Sequence, residues 1–149
     1  MAESIDGRAV FDLLMEFMPL FHQHILPPLS ADLRDGLGLT RGMAKALIIL
    51  SRSGPDTATE LGKCMAMTKA NLTILVDELV EAGFARREPH PSDRRKSLVF
   101  MTEAGRKAAR AAEDAFVAGL EERLALLGPD GTERLSTGFS SIVATLKTL

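Results

Sequence analysis

At 149 residues the chain has room for one domain, or for a small binding module joined to an assembly element. A hydrophobic content of 46% excludes wholesale disorder, no apolar run approaches the ~20 residues that span a bilayer, and the single cysteine, Cys64, excludes an intramolecular disulfide framework. The net charge of −2 hides a segregation: residues 84–110 carry eight basic against three acidic groups, whereas residues 1–39 carry two against six and residues 111–149 three against six. The opening MAESIDGRAV lacks a basic stretch followed by an apolar block, so a cytoplasmic protein without a membrane segment is expected.

The first segment reads as helix, because Val10, Phe11, Leu14, Met15 and Met18 recur at helical spacing. Pro19 removes a backbone donor inside that pattern and predicts a kink or break. Helical spacing resumes at Phe21 and Ile25 and stops at Pro27–Pro28; residues 29–39 read as a short helical turn or loop. Thr40 is the expected N-cap of a second helix burying Met43, Ala46, Leu47 and Leu50. Thr57-Ala58-Thr59-Glu60 has the capping-box pattern and opens a third helix burying Leu61 and Met65. Thr68 caps a fourth helix, in which Leu72, Leu75, Val76 and Leu79 follow the i, i+3, i+4, i+7 rule up to Gly83.

Two short helices across a tight turn form a helix-turn-helix pattern. The β-prone segments 84–88 and 97–101 flank "PHPSDRRKS" (89–97) and predict a hairpin with a long basic tip. A helical pair followed by such a hairpin is a winged helix-turn-helix. Thr102 caps a fifth helix with Ala109, Ala112, Phe116, Leu120 and Leu124 on one face, and Gly128-Pro129 ends it. The last helix carries Leu135, Phe139, Ile142, Leu146 and Leu149 in a heptad-like seam. The expected class is mainly α with a small β-hairpin wing.

Asp93-x-Arg95 followed by Met101-Thr102-x-x-Gly105, with Gly83-Phe84-Ala85-Arg86-Arg87, Leu39-Thr40 and Glu60-Leu61 upstream, resembles the MarR family (multiple antibiotic resistance regulators) over most of the chain. The resemblance implies a transcriptional regulator, usually a repressor, released by a small molecule or oxidant. It implies a homodimer held by its first and last helices, with winged lobes on a pseudo-palindromic double-stranded DNA site. On that reading residues 1–36 and 103–149 form the dimerisation region, and residues 40–102 the DNA-binding region. The chain departs from the family pattern at Met43, where glutamine is common, and at Ile74 and Glu78, which are often basic.

In such an arrangement the helix after Thr68 enters the major groove N-terminus first, which makes Thr68, Lys69, Ala70, Asn71 and Thr73 the candidate readers. The bland alternative is an ordinary polar helix face. The wing candidates are Arg87, Asp93, Arg94, Arg95 and Lys96. Arg95 is expected in the minor groove, with Asp93 orienting its guanidinium through a bidentate pair and Arg94 and Lys96 meeting phosphates; the alternative is a solvated hairpin.

Phe21, His22, Ile25, Met43, Leu47 and Phe116 are candidates for a pocket holding a small aromatic or phenolic effector, although each is equally explicable as core. His22 and His24 point ~200° apart on a helix, so no metal site is expected. No cofactor is expected. The chain has no phosphate loop, nucleophile motif or ligand cluster, which speaks against an enzyme. A buried, structural Cys64 is expected; the competing readings are a redox-switched regulator using Cys64 and a winged-helix protein–protein adaptor that does not bind DNA.

Overall fold

Three threonines start three helices by one device. The hydroxyl oxygens of Thr40, Thr57 and Thr68 accept the backbone N–H groups of Met43 (3.2 Å), Glu60 (3.2 Å) and Asn71 (3.3 Å). They open α3 (Arg41–Ser53), α4 (Ala58–Met65) and α5 (Lys69–Glu81), satisfying donors that a helix start leaves orphaned. The computed structural model describes residues 6–25 and 33–149; besides these helices it contains α1 (Gly7–His24), α2 (Leu33–Leu37) and α6 (Glu103–Leu146). The strands are β1 (Asp56–Thr57), β2 (Ala85–Pro89) and β3 (Ser97–Met101). The chain is therefore mainly α with a small antiparallel sheet, as its sequence implies.

Two compact units divide the chain, one of residues 29–116 and one of residues 1–28 with 117–149. The first is the winged helix-turn-helix, and it is wider than the 40–102 expected. Leu33 of α2 and Gly105, Ala108, Ala109 and Ala112 of α6 are all buried, because small residues on that face of α6 let the helix backbone approach its neighbours closely. The core is built from Leu39, Met43, Ala46, Leu47 and Leu50 before the sheet, Leu61 and Met65 of α4, and Leu72, Leu75, Val76 and Leu79 of α5. Each such leucine is worth about 1.5–3 kcal/mol of burial. Apart from Leu39, which lies between α2 and α3, these are the positions that helical periodicity singles out.

The hairpin is part of a three-stranded sheet of order β1-β3-β2. Strands β2 and β3 pair antiparallel from Ala85↔Met101 to Pro89↔Ser97, while β1 pairs Asp56↔Val99 and Thr57↔Leu98. A strand of two residues leaves no alternating pattern, so β1 is invisible in the sequence. It ties the start of α4 to the wing.

Thr102 and Gly105 tie the wing to α6. The Thr102 hydroxyl donates to the Gly83 carbonyl (2.6 Å) and accepts the Gly105 N–H (3.0 Å), while the Thr102 N–H donates to the Phe84 carbonyl (3.0 Å). A Cβ on Gly105 would lie 1.9 Å from that same Phe84 oxygen. The spacing in Met101-Thr102-x-x-Gly105 thus has a packing cause: a hydroxyl to bridge two backbones, then a residue without a side chain where they touch. Arg106 hydrogen-bonds Glu103 in the first turn of α6 and holds its carboxyl below the usual range. Arg52 and Glu113 pair between α3 and α6.

In the terminal unit α1 runs unbroken through Pro19, so the expected break does not occur. Proline removes one ladder bond, but Phe17 and Phe21 stack across it at 5.3 Å, and the Ile25 N–H still donates to the Phe21 carbonyl (2.9 Å). The stop expected at Pro27–Pro28 lies outside the described residues. The break expected after residue 127 is present, with Gly128 at φ 69°, ψ 177° interrupting α6 ahead of Pro129. Phe139 meets Phe17 and Phe21 edge-on, each at 6.3 Å. Val10, Phe11, Leu14, Met15 and Met18 are all exposed in the single chain, as are Ile142 and Leu146. Among the described residues no helix is long and apolar enough to cross a membrane.

Candidate nucleic-acid interface

The candidate reading residues are on the surface. Thr68, Lys69, Ala70, Asn71 and Thr73 are all exposed at the N-terminal end of α5, opposite the buried Leu72, Leu75, Val76 and Leu79. The unsatisfied N–H groups there add partial positive charge. Thr73 is less free than its sequence suggests, since its hydroxyl donates to the Lys69 carbonyl at 2.9 Å.

The tip of the wing is held by backbone hydrogen bonds. The His90 N–H donates to the Lys96 carbonyl (3.0 Å), closing the loop above the Pro89↔Ser97 pair. Inside it the Lys96 N–H donates to the Asp93 carbonyl (2.9 Å), and Asp93 Oδ1 accepts the Arg95 N–H (3.0 Å). This corrects the expectation for Asp93: its carboxylate caps the turn and does not pair with the Arg95 guanidinium. Aspartate two residues ahead of an N–H forms this local turn readily, because its short side chain reaches its own backbone.

The five arginines and lysines of the wing divide into two groups. Arg86 bonds Glu88 (2.7 Å) and lies over the Phe100 ring (5.1 Å), and Arg87 pairs with Asp77 of α5 (2.8 Å). Arg94, Arg95 and Lys96 are exposed, and among the described residues none of them is in an ion pair. With Arg87, Glu88, Pro89 and Ser97 they line a shallow concavity of about 310 Å³. Four cations and one carboxylate make it an anion-attracting surface. The Asp77–Arg87 pair also joins the wing to α5, the helix that carries the candidate reading residues. Sequence reading misses this pair because no local spacing rule connects a helix to the strand after it.

The six residues proposed for an effector pocket are distributed over both units. Met43 and Leu47 are buried in the winged core, so packing occupies their surfaces, and Phe116 of that unit is half-buried. In the terminal unit Phe21 belongs to the aromatic cluster, Ile25 is half-buried, and His22 is exposed with its Nδ1 2.8 Å from the Met18 carbonyl oxygen. Cys64 is exposed and free, contrary to the expectation of burial. It sits about 60° around α4 from Leu61, just outside the buried stripe.

The architecture has counterparts among known proteins. A profile of the MarR family matches residues 37–96. An uncharacterised HTH-type transcriptional regulator of Mycobacterium leprae is 34% identical over 126 residues, covering 84% of this chain and 83% of that protein. The HTH-type regulator YcgE of Bacillus subtilis is 41% identical over 73 residues; that match covers 49% of this chain and 47% of YcgE, about half of the relative's length. Among solved structures, a cysteine-to-serine variant of E. coli MarR complexed with operator DNA superposes with a TM-score of 0.70 at 23% identity, covering 92% of this chain and 98% of that one. At that identity it speaks for the fold.

Proposed function

The chain belongs to the MarR family of transcriptional regulators, and from that premise we propose that it binds double-stranded DNA sequence-specifically, as a homodimer on a pseudo-palindromic site. The observation that carries the proposal is the state of the wing tip: Arg94, Arg95 and Lys96 project from a turn that Asp93 fixes and form no ion pair among the described residues. Unpaired cations on a fixed tip attract phosphate, and an arginine is favoured in a narrow minor groove. The exposed start of α5 supports major-groove entry, with Asn71 able to bond adenine in a bidentate way and Lys69 to reach phosphate or guanine. Arg87 contributes by holding the wing against the reading helix.

The exposed apolar residues of α1 and of the last helical segment support the dimer, since solvent exposure on that scale is costly for a lone chain. Two joined lobes act at high effective concentration on two half-sites. The proposal is completed by a repressor role in the cytoplasm and by release through a small aromatic or phenolic effector, for which the Phe17, Phe21 and Phe139 cluster supplies a stacking surface.

Asn71→Ala tests direct reading. The expected loss is about tenfold or more on the preferred site, from ~1–3 kcal/mol of base discrimination, with little change on random duplex. Equal losses on specific and random DNA, measured by fluorescence anisotropy at one ionic strength, would refute it.

A further inference from the structure

The outermost line of α5 carries an apolar group where a DNA-reading helix commonly presents polar ones. Taking 100° per residue, the line opposite the buried Leu72, Leu75, Val76 and Leu79 runs through Ala70, Ile74 and Asp77. Ile74 is 59% exposed at its centre. An exposed isoleucine is ordinary on a protein surface; this one stands in the middle of the face proposed to enter the groove. It can neither donate nor accept a hydrogen bond, so it cannot read the guanine, adenine or cytosine edges. The feature of the major groove that suits it is the C5-methyl of thymine.

Its neighbours towards the N-terminus have the same character, whereas Glu78, one turn further on, is exposed and acidic. Ala70 lies one turn towards the N-terminus, and the Thr73 hydroxyl gives its one proton to the Lys69 carbonyl at 2.9 Å, which leaves a methyl and an acceptor oxygen but no donor there. Nearby Asp77 is paired with Arg87 at 2.8 Å, so the charge beside the apolar patch is partly neutralised. We infer that Ile74 is a specificity-determining residue that selects a thymine in each half-site through its methyl group. The inference rests on the DNA-binding reading above and sharpens it: base preference at this position comes from apolar contact, with the polar reach left to Asn71 and Lys69.

The test uses the full-length protein and the duplex that it enriches from a random pool. Each thymidine is replaced in turn by deoxyuridine, which removes one methyl and keeps every hydrogen-bonding group. Wild type is expected to lose about fourfold per methyl at one position of each half-site, the worth of one buried methyl-sized group. Ile74→Ala should bind the thymine duplex more weakly and be indifferent to uracil at that position. Its thermal transition serves as the folding control and should match wild type, because the side chain is exposed. Wild-type indifference to every uracil substitution would overturn the inference while leaving DNA binding intact. Full uracil sensitivity in Ile74→Ala at the same position would overturn it too. If no duplex is enriched, the inference falls together with the reading on which it rests.

Discussion

Replacing Gly105 with alanine is expected to destabilise the winged unit by about 3 kcal/mol or to prevent its folding, the upper range for forcing atoms into a packed site. The new Cβ would stand 1.9 Å from the Phe84 carbonyl oxygen and 2.9 Å from its carbon, and both belong to the backbone. That backbone has nowhere to go. The Phe84 oxygen already accepts the Thr102 N–H (3.0 Å), and the Phe84 N–H donates to Leu79 at the end of α5 (2.9 Å). Moving Phe84 would disturb the exit of α5 and the first residues of the wing together. Gly138→Ala, also within α6, is the matched control because nothing lies within 4 Å of its Cβ. It is expected to be neutral or to stabilise by up to about 1 kcal/mol through helix propensity. Urea midpoints of the two variants check the pair, and similar midpoints would disprove the close approach at Gly105.

Neutralising the wing tip is the second large effect. The triple variant Arg94→Ala, Arg95→Ala, Lys96→Ala removes three exposed cations per chain, six in the proposed dimer. Every phosphate left without its cation lowers the slope of log affinity against log salt by about 0.9, so the slope should fall by about 5 if all six cations reach DNA. Arg95→Ala alone should weaken binding most on AT-flanked duplexes, where the minor groove is narrow. Asp93 separates charge from shape. By Coulomb attraction alone, removing its carboxylate should tighten binding to a polyanion. Its structural work, accepting the Arg95 N–H at 3.0 Å, predicts the reverse for alanine. Asp93→Asn keeps an acceptor for that turn and drops the charge, so it should bind at least as well as wild type, whereas Asp93→Ala should bind less well. Equal behaviour of the two would assign Asp93 a purely electrostatic role.

Much of the fold is legible in the sequence because its signals are local. Thr40, Thr57 and Thr68 each sit directly ahead of a helical apolar pattern, and each is a cap. The four apolar positions of α5 follow one stripe, and all four are buried. What escapes the sequence is set by interactions between distant segments. Strand β1 exists because Asp56 and Thr57 meet Val99 and Leu98, residues more than 40 positions away. The partner of Arg87 is Asp77, ten residues earlier and on a different element. Asp93 next to Arg95 suggests an ion pair, but the nearer donor is the backbone N–H. Pro19 reads as a kink or a break, yet flanking helix bonds and stacked phenylalanines carry α1 through it without a break. The effector residues are least legible, since apolar side chains on helices have the same pattern whether they line a cavity or fill a core.

On the proposed reading, the charge segregation gives the acidic terminal segments and the basic wing separate tasks: assembly at one, attraction of phosphate at the other. Selection of bound duplexes from a random-sequence pool tests that division most directly. A homodimer with two reading helices should enrich an inverted repeat whose half-sites lie about one helical turn, ~10 base pairs, apart. Enrichment of no sequence, or of a single asymmetric half-site, would contradict it.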